Sequence, residues 1–435
     1  MPDVLRSPYD REIFRLAVPA LGALAAEPLY VLVDTAIVGH LGTVQLAALA
    51  IAATVLTSAF TIFNFLTYGT TARVSRLHGA GQEDDAAAFG AQGLWLGLAI
   101  GLLLALLTIA FARPVAQLMG GEGQILDESV TYLRIAALGS PFFMLAAAGQ
   151  GFLRGLSDLR TPLKILVAAQ AANVVLELLF VYGFGWGIAG SAWGTVIAQA
   201  GMGAAFVRVQ ARASGWEPPR PDRIRSLMKI GGEIAVRTTA LLASFLVASA
   251  VLARVGAASL GAHQIAFQLF IFLALVLDAI AIAGQVMVWK MLGAGDAAGA
   301  RAAAIRMIGW SVVAGTAFAV VLLALTDVLP HAFTPDDAVI ERAHAVWPLF
   351  AALMPAAGAV FALDGILIGA GDTRYLMWGM LAAAVVYVPL ALLALHRDWG
   401  IQGVWAGLGA LFAVRLLTLG VRFAGRRWAL TGAPA

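Results

Sequence analysis

The sequence contains no cysteine. Disulfides, thiolate nucleophiles and cysteine-based metal sites are therefore excluded. Charge is scarce as well: Asp, Glu, Lys and Arg make up 12% of the 435 residues, against about 25% in an ordinary soluble domain. Histidine is scarce too, and the six present show no HExxH or other ligand spacing. With no intramembrane His cluster, Ser–His pair or metal motif, the chain does not read as an enzyme, and no cofactor is expected. The net charge of +3 and the pI near 9.4 would point to nucleic acid only if the basic residues formed one patch. They are spread through short loops between apolar runs, so no nucleic-acid partner is expected. What the chain has in quantity is apolar surface: 61% hydrophobic residues and a mean hydropathy of +0.87. That composition describes a polytopic membrane protein, with membrane lipids around it.

The residues from Met1 to Arg15 are polar and mixed in charge. They run straight into an apolar segment of spanning length, so a first transmembrane helix is expected in place of a cleaved signal. Apolar stretches of about 20 residues, enough to cross a hydrocarbon core of about 30 Å, fall at 13–38, 46–71, 87–111, 129–153, 163–184 and 188–207. Six more fall at 227–252, 260–288, 302–326, 340–368, 375–395 and 401–423.

The two sets of six are copies. Residues 141–164 and 355–378 are related by an offset of 214 positions, which carries Pro141 onto Pro355 and Gly151 onto Gly365. The same offset carries Gly79-Ala80-Gly81 onto Gly293-Ala294-Gly295, and Leu41-Gly42 onto Val255-Gly256. A one-residue slip then matches Trp186-Gly187-Ile188 to Trp399-Gly400-Ile401. The expected fold is an all-α integral membrane protein of twelve transmembrane helices. Residues 1–207 form a first lobe, 208–226 a cytoplasmic linker marked by Pro218, Pro219 and Pro221, and 227–435 a second lobe. Six is even, so both copies enter the membrane from one side, and a pseudo-twofold axis along the membrane normal relates them.

Positive charge chooses that side. Of 28 Lys and Arg, only Arg113, Arg134, Arg254, Arg342 and Arg397 fall on the far side, and Arg237 lies inside a span. The remaining 22 (28 less 5 less 1) fall on the near side, including Arg6, Arg11 and Arg15 at the amino end and Arg415, Arg422, Arg426 and Arg427 at the carboxyl end. Positive loops stay in the cytoplasm, so both termini are expected there.

Several polar residues sit inside the spans, where a carboxylate costs about 2.5–3.5 kcal/mol on insertion scales. Glu27, Tyr30 and Asp34 share one face of the first helix, and Gln170, Asn173 and Glu177 share one face of the fifth. Thr195 lies on the sixth. The duplication supplies an internal control: the counterparts of Asp34, Asn173 and Glu177 are Ala248, Tyr387 and Ala391. A cluster needed only for packing would be present in both lobes, so this one is assigned to function. Two carboxylates in so apolar a setting either hold a proton between them or hold a cation. The oxygens of Asp34, Asn173, Glu177 and Thr195 suit Na+ as a metal ligand set. Glu27, Gln170, Asn64, Gln264, Asp278 and Asp364 are the substrate-cavity candidates; Asn64 aligns with Asp278 and Gln150 with Asp364, so those positions are polar in both lobes. Glu233 and Arg237 have the i, i+4 spacing of an intrahelical ion pair. Pro19 removes a backbone hydrogen bond within the first helix and predicts a kink.

The segment from Ala26-Glu27-Pro28-Leu29-Tyr30 through Asp34-Thr35-Ala36-Ile37-Val38-Gly39-His40 resembles the first helix of the multidrug and toxic compound extrusion family, and within it the DNA-damage-inducible DinF branch. Asp364-Gly365-Ile366-Leu367-Ile368-Gly369-Ala370-Gly371-Asp372 is similar to the tenth-helix region of that branch. The resemblance implies a twelve-helix antiporter of the bacterial inner membrane, exporting organic, often cationic or amphipathic, compounds by alternating access in exchange for H+ or Na+. By the same resemblance Asp34 couples transport to the ion, Tyr30, Asn173, Glu177 and Thr195 complete its network, and Pro19 is the bending proline. A monomer is expected. A flippase for lipid-linked precursors, from the same wider superfamily, is the alternative. It would favour several basic residues inside the cavity, where only Arg237 qualifies.

Overall fold

The computed structural model describes residues 7–215, 217–425 and 427–432. Arg6 and Arg426 lie outside the described residues, as does the side chain of Glu27. The first six spans are α1 (Pro8–Gly39), α2 (Thr43–Ile62) continued by α3 (Phe65–Gly79), α4 (Glu83–Leu118), α5 (Gly123–Ala137) bent by 49° into α6 (Ser140–Gly155), α7 (Arg160–Leu178) and α8 (Gly187–Ser214). The second six are α9 (Pro221–Val255), α10 (Ala257–Gly293), α11 (Ala297–Ala324), a short α12 (Val328–Phe333) leading into α13 (Asp337–Gly369), α14 (Thr373–His396) and α15 (Gly400–Ala424). Ten spans, counting α2 with α3, are long and apolar enough to cross a bilayer, and the bent α5–α6 pair makes an eleventh. The twelfth is α8, whose 28 residues reach about 42 Å at 1.5 Å each but are richer in glycine and polar side chains. This is the twelve-span, two-lobe architecture read from the sequence.

The helix ends follow local chemistry. At the start of α1, Pro8 occupies the first helical position, where its missing N–H is no loss. Ser7 and Asp10 cap reciprocally: Ser7 N–H donates to Asp10 Oδ2 at 2.9 Å, and Tyr9 N–H to Ser7 Oγ at 3.3 Å. Asp296 caps α11 by accepting Gly299 N–H at 2.7 Å. Pro221 opens α9, and helix extends into the segment expected as linker, leaving only 215–220 between α8 and α9.

The duplication extends to packing. A Cβ added at Gly101 would lie 2.4 Å from Pro141 Cα, and one at Gly315 would lie 2.3 Å from the Met354 carbonyl, next to Pro355. Gly151 faces the Thr67 carbonyl at 2.6 Å in the same sense, and Gly365 the Ala281 carbonyl at 2.3 Å. Each partner is displaced by the sequence offset, so both lobes bring backbones together through the same small residues. Turns repeat too: Gly81 and Gly295 adopt φ of 76° and 84°, and Ser157 and Gly371 adopt 64° and 77°.

Contacts divide the described chain into two compact units. One is Gly22–Gly231, and the other joins the start of α1, up to Leu21, to Gly232–Gly432. The division cuts α1 two residues after Pro19, within a helix that is continuous from Pro8 to Gly39. It cuts α9 likewise. The start of α1 is held in the second unit by Asp10, which accepts from Arg306 Nε at 2.6 Å, Arg306 Nη2 at 2.8 Å and Trp310 Nε1 at 2.8 Å. Phe14 packs edge-on against Trp310 at 4.9 Å. The start of α9 is held in the first unit, where Leu227 joins a core with Phe152 and Phe206, and Arg223 pairs with Asp85 at 2.9 Å.

Candidate functional site

Three helices of the first lobe each offer a polar pair at i, i+4: Tyr30 and Asp34 on α1, Asn173 and Glu177 on α7, Ser191 and Thr195 on α8. The spacing stacks each pair on one helix face. α8 approaches α7 closely because position 194 is glycine; a Cβ there would lie 3.0 Å from Glu177 Cγ and 3.1 Å from its backbone nitrogen. Just beyond Glu177, α7 ends in a π turn, Leu179–Gly183. Tyr182 on that turn donates its hydroxyl to the Ile37 carbonyl at 2.6 Å and ties α7 to the end of α1. Single π turns within helices recur near functional sites.

The six side chains form one network. Ser191 Oγ donates to Asp34 Oδ1 at 2.8 Å. Asn173 Nδ2 donates to Glu177 Oε1 at 2.9 Å, and Thr195 Oγ1 reaches the same oxygen at 3.4 Å. The Tyr30 and Thr195 hydroxyls share a hydrogen bond of 2.9 Å. Asp34 and Glu177 are close neighbours, each carboxyl held by its own donors, Ser191 for Asp34 and Asn173 for Glu177. All of this is shielded from solvent: Glu177 and Ser191 are fully buried, and Asn173, Asp34 and Thr195 nearly so. Two acceptor oxygens, Asn173 Oδ1 and Glu177 Oε2, have no hydrogen-bond partner. A cluster with two carboxyl groups and two acceptor oxygens left unmet fits a small cation, a proton or Na+.

The network borders a cavity of ≈ 240 Å³ within the first lobe. Tyr30, Asp34, Asn173 and Thr195 line it, as do the predicted Asn64 and Gln170. Its polar lining also includes Gln150, Gln199 and Arg154; Arg154, and not the expected Arg237, is the basic side chain in it, and its apolar lining includes Phe60, Phe143 and Met202. Gln264, Asp278 and Asp364 belong to the second unit and are not part of this cavity. Gln264 is exposed and Asp278 half-buried. Asp364 is the hub of an ion triad: Arg237 Nη2 reaches its Oδ2 at 2.5 Å, and Arg415 Nη2 bonds the same oxygen. Arg237 thus takes its carboxylate from 127 positions away, and Glu233 one turn below accepts the Thr373 hydroxyl. Arg415, read from the sequence as a cytoplasmic terminal charge, is buried inside the lobe by that pairing.

Two members of the site escaped the sequence reading. Ser191 lies one turn before Thr195 on the same face, and that spacing is the signal that would have found it. Tyr132 on α5 is buried and lines the cavity; an isolated tyrosine in an apolar helix gives no such signal.

Comparison with known proteins places this geometry. The MatE family model matches residues 19–200 and 234–393. The chloroplastic Protein DETOXIFICATION 44 of Arabidopsis thaliana is 30% identical over 96% of this chain and 82% of its own. The multidrug resistance protein PmpM of Pseudomonas aeruginosa is 27% identical over 92% and 87%. A crystal structure of MATE in the bent conformation superimposes with a TM-score of 0.87 at 18% identity, over 97% of this chain and 95% of that one.

Proposed function

Because the chain belongs to the MatE family, we propose that it is a cation-coupled efflux antiporter. It exports small organic, often cationic or amphipathic, compounds across the bacterial inner membrane, with both termini in the cytoplasm, and it falls in the DinF branch. The relative named for multidrug resistance supports the substrate class. One observation carries the coupling: two carboxyl groups are buried together with unpartnered acceptor oxygens, Asp34 on the cavity wall and Glu177 bonded to the wall residues Asn173 and Thr195.

The coupling ion is H+ or Na+. Either one removes one of the two negative charges that the carboxyl pair carries when ionised, and either is held by this chain's own oxygens. Asp34 lies on both the network and the cavity wall. Cation loading at Asp34 therefore changes the charge that a cationic substrate meets, and the two compete. Reciprocity requires bound substrate to weaken cation binding by the same factor. Releasing the substrate outward and the cation inward completes an alternating-access cycle.

The test is efflux of a fluorescent organic cation from proteoliposomes with a Na+ gradient and a pH gradient imposed separately. One gradient should drive transport, and Asp34→Asn should abolish it with the protein still inserted and folded. Transport by Asp34→Asn at the wild-type rate would remove Asp34 from the mechanism, and transport driven by neither gradient would remove antiport itself.

A further inference from the structure

The second lobe has a pocket in the same place as the first lobe's cavity, and the chain's own aromatic side chains fill it. The offset of 214 carries Val31, Leu49, Ala53 and Leu56, all on the first cavity's wall, onto Phe245, His263, Phe267 and Phe270. With the one-residue slip, Gln199 becomes Phe412. All five replacements line the second pocket, whose free volume is ≈ 10 Å³. Four phenyl rings thus occupy what is open space in the other lobe.

Filling alone would suggest a sealed core, but the polar groups contradict that. His263 is fully buried, and neither of its ring nitrogens has a hydrogen-bond partner. Trp405, across the pocket at 5.9 Å between ring centroids, is 4% exposed, and its Nε1 is also unpartnered. Buried donors left unmet are rare in native proteins, and each calls for an occupant. Here two donors converge, the imidazole N–H and the indole N–H, inside walls of aromatic rings. The wall is also movable on one side. Phe245 and Phe267 are half-buried and 4.9 Å apart, whereas Phe350 behind them is fully buried.

We propose that this pocket is a second ligand site. It takes flat aromatic molecules carrying a hydrogen-bond acceptor such as a carbonyl oxygen. The ligand displaces Phe267 and Phe245, stacks between the remaining rings, and accepts from His263 and Trp405. The first cavity presents the Asp34 carboxyl and, on the function proposed above, takes cations. This pocket offers donors and no charge, and it selects for neutral acceptors. The site does not depend on ion coupling.

The probe is tritiated 9-fluorenone, with fluorene as the isosteric competitor that lacks the carbonyl, bound to purified full-length protein and followed by scintillation proximity. Fluorenone should bind at least about tenfold more tightly than fluorene, the usual worth of one good hydrogen bond. Trp405→Phe keeps the ring and removes the N–H, and should reduce that preference, as should His263→Leu; the two together should erase it. Phe267→Ala, which restores the residue type of Ala53, should tighten fluorenone binding several-fold, because no ring must be displaced. Asp34→Asn should leave fluorenone binding at the wild-type level, so loss of antiport and loss of this site are told apart. Equal affinity for fluorenone and fluorene in the wild type would overturn the proposal and leave a trapped water as the occupant. So would a preference undiminished in Trp405→Phe, or one that persists when both donors are removed.

Discussion

At the scale of single residues, the two lobes solve the problem of buried charge in opposite ways. The first brings two carboxyl groups together, each hydrogen-bonded to hydroxyl or amide side chains and not to a basic one, and leaves oxygens unmet. Such a cluster is poorly stabilised by itself and suited to taking up a cation. The second surrounds one carboxylate, Asp364, with two guanidinium groups. Breaking a buried ion pair from one side leaves an uncompensated charge, and costs about 3–5 kcal/mol. Asp364→Asn should therefore lower the thermal melting point and the yield of monodisperse protein sharply. Replacing Asp364, Arg237 and Arg415 together by Leu or Met should recover most of the loss. In the first lobe, Ser191→Ala removes a hydrogen bond to Asp34 worth about 1–1.5 kcal/mol. Cation-driven efflux should fall by roughly five- to tenfold, short of the complete loss expected for Asp34→Asn, with the melting point nearly unchanged.

At the scale of elements, glycine decides how closely helices approach. Gly315 in α11 packs against the backbone of α13, while Gly309, six residues earlier on the same helix, has nothing within 4 Å of an added Cβ. Gly315→Ala must push backbones apart and should destabilise by about 1–3 kcal/mol. Gly309→Ala should be neutral or stabilising by up to about 1 kcal/mol, because alanine is the better helix former. Thermal melting of the two variants in the same detergent checks both signs. The same sequence offset places Gly101 against Pro141, so Gly101→Ala should behave like Gly315→Ala. Period and composition made the helices legible, since a run of apolar residues in a bilayer has no other way to satisfy its backbone. The break between α2 and α3, the bend between α5 and α6 and the π turn after Glu177 were not legible. Each depends on what the neighbouring helix accepts at that point.

At the scale of the whole molecule, the duplication built two similar bundles, and substitution then separated their tasks. One kept a cavity lined by a carboxylate and several amides, while in the other bulky aromatics occupy the equivalent positions. Two helices, α1 and α9, begin in one compact unit and end in the other. Residues 7–215 produced alone should therefore be unstable, and co-production with residues 217–435 should rescue them, as judged by membrane yield and by efflux. Topology follows from the distribution of basic residues. A carboxyl-terminal green fluorescent protein fusion should fluoresce, and a carboxyl-terminal alkaline phosphatase fusion should be inactive.

The sequence by itself determined the membrane class, the twelve spans, the internal repeat and five of the six members of the carboxylate network. Those follow from hydropathy, from helical spacing and from a comparison of the chain with itself, and none needs a third dimension. Only the tertiary structure decided which partner each buried charge takes. The i, i+4 neighbour Glu233 lay ready for Arg237 in the sequence, yet a carboxylate 127 positions away stands beside it. An ion pair forms where helix packing places the oxygens, and distance along the chain does not report distance through the bundle.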